Sequence, residues 1–471
     1  MTTPMAAEVR HCDFLVIGSG PGGQKAAIAA VKAGRHVIMV EQERGVGGAC
    51  VHRGTIPSKT LRESALQSSR SRRHTALFEL APRRDADTEV AALMTRLDEV
   101  VGAHVAYMGR QIDRNGIERH HGRARFVSDR VVEVQNLDGA LARFSADAIV
   151  IATGSRPRNP PEIPIDHENI LDSDSILSML YLPSSLTVLG GGVIASEYAS
   201  IFAALGVKVT MIDKADRPLK FVDGELVEKF VGAFAAAGGT YLGGETIADV
   251  RFDGASQVLT RLASGATVAS DKMLVALGRA ANVEDLALGA AGLAPTARGL
   301  LAVDEHCRTA VPHIYAVGDV IGPPSLAATA MEQGRRAASA ALGLPRGPST
   351  ETIPIGIYTI PEMASVGLGE DEATKRHGGF LIGRARFDEV ARGQISAITD
   401  GLLKLIADPS GRSLLGVHIV GEGATELVHV GQMALLAGMG IDTFVENIFN
   451  FPTLAEAYRV AALDLVARRP R

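Results

Sequence analysis

Cysteine is scarce in this chain. Its 471 residues include three, Cys12, Cys50 and Cys307, with no Cys-x-x-Cys pair, which excludes a disulfide framework and a cysteine-rich zinc site. Cys12 and Cys307 read as small structural apolar residues, and no metal site is expected. Long apolar runs are missing too. No stretch approaches the ~18 residues that a membrane span needs. Glu8 and Asp13 fall within the opening MTTPMAAEVRHCD, where a secretory signal requires apolar side chains. The expectation is a cytoplasmic protein without membrane contact. Positive charge is not in excess either: a net charge of −5 gives no broad positive field for a nucleic acid. The short RSRRH run from Arg70 to His74 reads as a solvated face.

What is present is apolar residues at 46% and 51 glycines, the composition of an α/β chain with many tight turns. The length suggests roughly three domains of ~150 residues each. Short runs rich in Val and Ile recur at DFLVIGSG, HVIMVE, DAIVIATGS, SLTVLGGG, KVTMID, KMLVALGR and HIYAVGDV; such runs predict parallel strands buried on both faces. In TEVAALMTRLDEVVGAHVAYM, Val90, Leu93, Leu97, Val100 and Val101 follow three- and four-residue spacing and predict a core-facing helix. Proline punctuation marks a linker at SRPRNPPEIP and the start of a further domain at GLPRGPSTETIP. Beyond it, ISAITDGLLKLIAD and LLGVHIVG predict antiparallel strands of an α+β unit.

A strand, glycine turn and helix occur twice. In VIGSGPGG, Gly18, Gly20 and Gly23 follow a strand and precede a helix, so backbone N–H groups and the helix N-terminus can face a pyrophosphate. Glu41 ends the next strand, placed to accept from an adenosine ribose. GGGVIASE repeats the device with Gly190, Gly192 and Ala195, and Asp213 stands where Glu41 stands in the first copy. Two dinucleotides are therefore expected.

These turns, the GGACVHRGTIPSK loop, ATGSRP, ALGRAAN, YAVGDV, YTIPEMASVG and FPTLAEAYRVAA follow the order found in the flavoprotein disulfide reductases, the class-I pyridine nucleotide-disulfide oxidoreductases, and the likeness covers nearly the whole chain. The chain resembles that family. The resemblance implies two Rossmann-like dinucleotide-binding domains and a C-terminal α+β dimerisation domain. FAD would be held by 1–155 with 279–345, NAD(P) by 156–278, and a homodimer would form through 346–471. It implies FAD contacts from Gly18, Gly20, Gly22, Gly23, Glu41, Gln42, Gly47, Gly48, Cys50, Thr55, Lys59, Arg123, Ala124, Thr153, Gly154, Asp319 and Ala327, and a cofactor contact from Gly278. Asp319 would meet the ribityl chain and Ala327 the pyrimidine side. Nucleotide contacts would come from Gly190, Gly192, Val193, Ile194, Glu197, Asp213, Lys214 and Arg217. Lys59 would sit near flavin N5 and pair with Glu197. Taken singly, Lys59 could be a surface lysine, Glu197 a solvated helix residue and Asp319 a helix cap.

Two departures from the family bear on function. A dithiol reductase needs a second cysteine five residues after the first and a base to handle protons. Thr55 stands in place of that cysteine, and Phe451 in place of the histidine before Pro-Thr, leaving Glu456 with no imidazole to orient. Val193 replaces the tyrosine that covers the flavin in glutathione reductase relatives. The expectation is an FAD enzyme moving hydride between NADPH and NAD+, with Lys59, Glu197 and Thr55 at its centre. Asp213 suits the 2′-hydroxyl of NAD(H), while Lys214 and Arg217 suit the 2′-phosphate of NADP(H). A diaphorase-like NAD(P)H dehydrogenase reducing quinones or dyes, and a non-catalytic flavin and nucleotide redox sensor, are the alternatives.

Overall fold

All seven apolar runs form parallel strands. The computed structural model describes residues 8–78, 86–345, 347, 352–398 and 400–470, without the side chains of 71–78 and 86–90. Val90 and the positions after Arg70 in the RSRRH run therefore lie outside the described side chains, as most of PRGPSTE lies outside the described residues. Arg70 itself is exposed and pairs with Glu422. Backbone contacts divide the chain into two units: Met1–Thr60 with Ala91–Arg158 and Gly278–Pro348, and Leu61–Val90 with Asn159–Leu277 and Ser349–Arg471.

In the first unit, Glu118–His121, Val37–Glu41, Val9–Ile17, Leu141–Ile151 and Ile314–Ala316 form a parallel sheet, and Arg123–Phe126 and Val131–Gln135 extend it as an antiparallel meander on Leu141–Ile151. Alternate residues of the first strand serve two cores. Leu15 and Ile17 pack with Phe126, Val132 and Val134, while Phe14 and Val16 pack with Ala26, Ala27, Ala30 and Ile112. A strand covered on both faces needs no polar alternation, which is why these runs read as continuous apolar stretches. The helix Ala86–Arg114 buries Leu93 and Leu97, as its spacing predicts.

In the second unit, Thr240–Gly243, Lys208–Asp213, Ser185–Leu189, Lys272–Val275 and Ile170–Asp172 form a parallel sheet. Its face carrying Leu189, Ile212 and Val275 is covered by a three-stranded antiparallel sheet through Val250, Val258 and Leu262. The C-terminal segment adds an antiparallel sheet, Ile355–Ile357, Met363–Gly367, Leu414–Val420, Leu402–Ala407 and Leu381–Arg386. Two local expectations change. SRPRNPPEIP opens with a strand, Ser155–Pro157, antiparallel to Arg279–Ala281. The start of ISAITD is not extended: Ala391–Ile395 is a short helix capped by Ser396, and Ala397 follows at φ 52°, before the strand at Leu402.

Candidate functional site

The first glycine turn is built by steric exclusion. Gly18 has φ +104°, and a Cβ there would stand 2.4 Å from the Ala152 carbonyl oxygen; one on Gly23 would stand 2.0 Å from the Gly18 oxygen. Gly22 lies so close to the helix Ala327–Ala341 that a Cβ on Gly334 would meet its oxygen at 2.0 Å. Gly20 differs, because a Cβ there would touch nothing within 4 Å. Open space thus lies against the N-terminus of the helix Pro21–Lys32, which has no side-chain cap and no acidic residue in its first turn. Its first N–H groups have no intrahelical partner and carry partial positive charge, as an anion requires.

Glu41 closes this turn from the neighbouring strand. Its Oε2 accepts from the Ser19 N–H at 2.9 Å and the Ser19 hydroxyl at 2.5 Å, and its Oε1 from the Glu43 N–H at 2.9 Å. The Ser19 oxygen also accepts from the Gly47 N–H at 3.0 Å. Gln24, buried, donates to the Ser19 carbonyl at 2.8 Å. Ser19 therefore binds the turn, the strand-end acid and the cysteine loop into one network. Gln42, next along, is exposed.

Cys50 sits half-buried in the short helix Gly48–His52, and Thr55 starts the long helix Thr55–Phe78 with Lys59 one turn in. Burial pushes the Cys50 thiol above its ordinary 9.0, only partly opposed by the Thr55 hydroxyl and the Lys59 charge. A neutral thiol beside a hydroxyl is the result. Gly48 reaches the first turn closely enough that a Cβ there would lie 2.9 Å from the Gly20 Cα. Asp319 accepts from the Ser155 hydroxyl at 2.6 Å, and Arg279 donates to that hydroxyl and to the Ser155 carbonyl, each at 2.7 Å. Thr153 and Gly154 are bridged by Asn282, which accepts from Thr153 through its carbonyl and donates to the carbonyls of Thr153 and Gly154. Gly154 and Gly278 have φ +67° and +103° with open space around them. Arg123 is exposed and pairs with Asp285, whereas the Ala124 side chain is buried in the core and leaves only its backbone to a ligand. Ala327 is the first residue of a helix without a side-chain cap.

The second turn resembles the first in outline. Gly190 has φ +114° with the Ala276 oxygen 2.6 Å from where its Cβ would be, and Gly192 faces open space. Val193 and Ile194 form the uncapped first turn of the helix Val193–Ala204. Glu197 is buried, against the solvated alternative; its Oε1 accepts from the Tyr358 N–H at 2.8 Å. Asp213 accepts from the Ala215 N–H at 2.7 Å. Tyr241 donates to the Ala215 carbonyl, and burial with the nearby Asp213 and Asp216 pushes its hydroxyl up to about 12. Lys214 is exposed. Arg217 donates to the carbonyls of Lys220 and Val222 at 3.1 and 3.2 Å, leaving part of its five-donor fork for a phosphate. At the C-terminal end Phe451 is exposed, and Glu456 accepts from the Thr453 N–H at 3.1 Å.

A family model described as pyridine nucleotide-disulphide oxidoreductase matches residues 12–334, and its dimerisation domain matches 353–462. The chain belongs to this family. Curated relatives named soluble pyridine nucleotide transhydrogenase are similar over almost their full length. The protein of Mycobacterium bovis is 44% identical, over 97% of this chain and 98% of its own, and that of Photobacterium profundum is 40% identical, over 96% and 97%. Among solved structures, LpdA from Mycobacterium tuberculosis matches with a TM-score of 0.88 at 27% identity, over 96% of this chain and 99% of that one. The HOCl-induced flavoprotein disulfide reductase RclA from Escherichia coli matches with 0.86 at 25%, over 96% and 99%.

Within this oxidoreductase fold, several residues that hold the sites together were not singled out by sequence reasoning: Ser19, Gln24, Ser155 and Arg279. The only signal for Ser19 is its place between two glycines of the turn. Arg279 stands in ALGRAAN, where the strand pairing with Ser155 is invisible without the fold.

Proposed function

We propose that this chain exchanges hydride between NADPH and NAD+, with FAD in the first unit and the nucleotides taken in turn by the second. The observation that carries this reading is the chemistry of the Cys50 loop. Its one thiol has a hydroxyl, Thr55, where a second sulfur would be needed, and burial keeps that thiol protonated. The loop thus lacks the means for disulfide exchange. Both glycine turns, by contrast, keep an open cradle at Gly20 and at Gly192 beside an uncapped helix. The residues present fit a dinucleotide at each. The relatives' name is in accord with this.

When bound, FAD supplies a two-electron carrier between the two nucleotide pools. In the net reaction one C–H bond of NADPH breaks and one forms on NAD+; the hydride carries both electrons, and no proton is gained or lost. No general acid is then required, which suits a chain with Phe451 in place of an imidazole. Glu41 and Ser19 would orient the adenosine half of FAD, Asp319 its ribityl chain, and Lys59 would place positive charge beside the redox centre. Asp213, Lys214 and Arg217 would meet the ribose 2′ position of either nucleotide. We further propose a cytoplasmic homodimer formed through 346–471; among the described residues no helix is long and apolar enough to cross a membrane.

The test is anaerobic. Protein reduced by NADPH is mixed with NAD+, and flavin absorbance and NADH are followed together. Return of oxidised flavin with stoichiometric NADH is expected. Flavin that stays reduced with NAD+ but reoxidises with a quinone would replace this reading with the diaphorase.

A further inference from the structure

The C-terminal sheet has one apolar face, where Leu403, Leu405, Val417 and Ile419 form the core. Its other face carries a polar row. Arg384, Lys404, His418 and Ser365 are successive cross-strand neighbours over four strands. At one end of the row His418 is satisfied locally, by the Ser365 hydroxyl and the Leu368 carbonyl, each at 3.0 Å. The other end reaches outside the domain.

Lys404 is fully buried, and its Nζ donates to Asp223 and Glu225, each at 2.7 Å, and to Glu370. Arg384 holds both oxygens of Glu225 at 2.7 and 2.8 Å. Burial alone would lower the lysine's proton affinity, but these carboxylates outweigh it and raise it instead. Asp223 and Glu225 belong to the nucleotide-binding fold. Asp223 caps the helix Gly224–Ala236 with one oxygen and meets Lys404 with the other.

That helix start ends the loop 214–223, which follows Asp213. The near end of the loop is held at Ala215, whose N–H donates to Asp213 and whose carbonyl accepts from Tyr241 and from the Gly244 N–H; its middle is tied to the second glycine turn by the Leu219 N–H, which donates to the Gly191 carbonyl at 2.8 Å, and is folded by Arg217 on the carbonyls of Lys220 and Val222. Its far end rests on Lys404. Between the loop and the polar row lies a cavity of about 730 Å³, lined by Arg217, Lys220, Glu228, Arg384 and His418 among others. Leu219, Val222, Leu226 and Val227 are buried along this stretch, and the charged anchor ties its far end to the C-terminal sheet.

We infer that Lys404, with Arg384, is a positioning residue for the loop that meets the nucleotide 2′ position, so that the C-terminal domain sets the preference between NADP(H) and NAD(H). This rests on the function proposed above. Removing Lys404 leaves Asp223 buried with its helix-capping bond but without a counter-charge, a state relieved by moving the end of the loop. Arg217, bonded to the carbonyls of Lys220 and Val222, moves with it, while Lys214 stays between Asp213 and the tethered Ala215. Asp213 stays too, because it lies on a sheet strand in register with Gly243.

The experiment is calorimetric titration of the FAD-loaded enzyme with NADP+ and with NAD+. For Lys404→Met, NADP+ affinity is expected to fall by roughly tenfold or more, the loss of well-placed hydrogen bonds to a charged group, with NAD+ affinity changed by less than about threefold. Lys404→Arg should restore most of the difference. Arg384→Gln, which keeps Lys404 and its three carboxylates, should shift the ratio in the same direction by less, and it decides the matter if Lys404→Met does not fold. Equal losses for both nucleotides, or an unchanged ratio in both variants, would overturn the inference while leaving the function intact. A wild-type enzyme that binds neither nucleotide would overturn the function, and this inference with it.

Discussion

The two glycine turns share a signature and differ in stiffness. In the first, the third glycine position is Gly23, and the space for a Cβ is closed by the Gly18 oxygen at 2.0 Å. In the second, the same position is Ala195, fully buried and accommodated. The strand-end acids differ likewise. Glu41 accepts three hydrogen bonds from Ser19 and Glu43, and Ser19 joins it to the cysteine loop. Asp213 accepts one, from Ala215, and is followed by a loop of basic residues anchored far away on Lys404. A cradle over-determined by its own short-range bonds suits one resident cofactor. A cradle followed by a basic loop anchored partly outside it would suit two substrates that differ by one phosphate, as proposed above.

The largest effect should come from trying to make the first turn like the second. Gly23→Ala forces a methyl group against backbone oxygen and cannot relax by rotamer change; overpacking of this kind costs about 1 to 3 kcal/mol or more. The variant is expected to purify with little or no flavin and a lowered melting temperature. The converse change, Ala195→Gly, should cost only about 1 kcal/mol of helix propensity and leave flavin content unchanged. Flavin absorbance per protein and thermal melts measure both. Normal flavin loading in Gly23→Ala would remove the distinction between the turns.

A smaller effect separates the units by chemistry. Lys59 lies on the helix that opens with Thr55, near enough to Cys50 for its charge to act on the sulfur. Lys59→Met should slow flavin reduction by NADPH about tenfold or more, the scale of removing one preorganised charge from a developing anion, while the nucleotide dissociation constants of the second unit stay within about twofold. Rapid-mixing traces give the first quantity and calorimetry the second. Unchanged reduction would mean that Lys59 does not act on the flavin, and a matching loss of nucleotide affinity would mean that the division of labour is wrong.

What the sequence made legible follows from where physics leaves a local mark. Strands buried on both faces must be apolar throughout, so seven of the ten parallel strands stood out, while Glu118–His121, Ile170–Asp172 and Thr240–Gly243 at the sheet edges did not, and positive φ at Gly18 and Gly190 demands glycine. Long-range polar contacts leave no such mark. Lys404 in LLKLIAD has the look of an outward residue in an alternating strand; it is buried because Asp223, Glu225 and Glu370 come to it from elsewhere in the chain. Glu197 could have been solvated by its helix pattern, yet it accepts from Tyr358, 161 residues on. Arg217 offered itself to a phosphate by proximity to Asp213, while the structure engages part of its guanidinium with the carbonyls of its own loop. Ser19 between two glycines is indistinguishable from a turn filler until Glu41 and Gly47 are seen around it.

The smallest effect is expected at the residue that first suggests a redox role. Cys50 lies in the loop that touches the first turn, with Thr55 as its hydrogen-bond partner, and its thiol is held above its ordinary 9.0 chiefly by burial. A thiol raised in this way is neutral near pH 7, and only the thiolate attacks. Alkylation by iodoacetamide should therefore run slower than for an unhindered cysteine peptide at pH 7 to 8, with a rate that is still climbing as pH passes about 9, where the peptide's levels off. Cys50→Ser replaces a neutral thiol by a neutral hydroxyl of similar shape. It should keep FAD and lower the rate of NADPH-to-NAD+ exchange by less than about tenfold, a barrier change under ~1.4 kcal/mol. Rapid alkylation at pH 7, or a larger fall in rate at full flavin content, would mean that the sulfur acts as a thiolate after all, with Lys59 as the charge that stabilises it. The first unit would then be a thiol enzyme short of one cysteine rather than a cofactor cradle independent of sulfur, and its contrast with the second unit would rest on chemistry instead of stiffness.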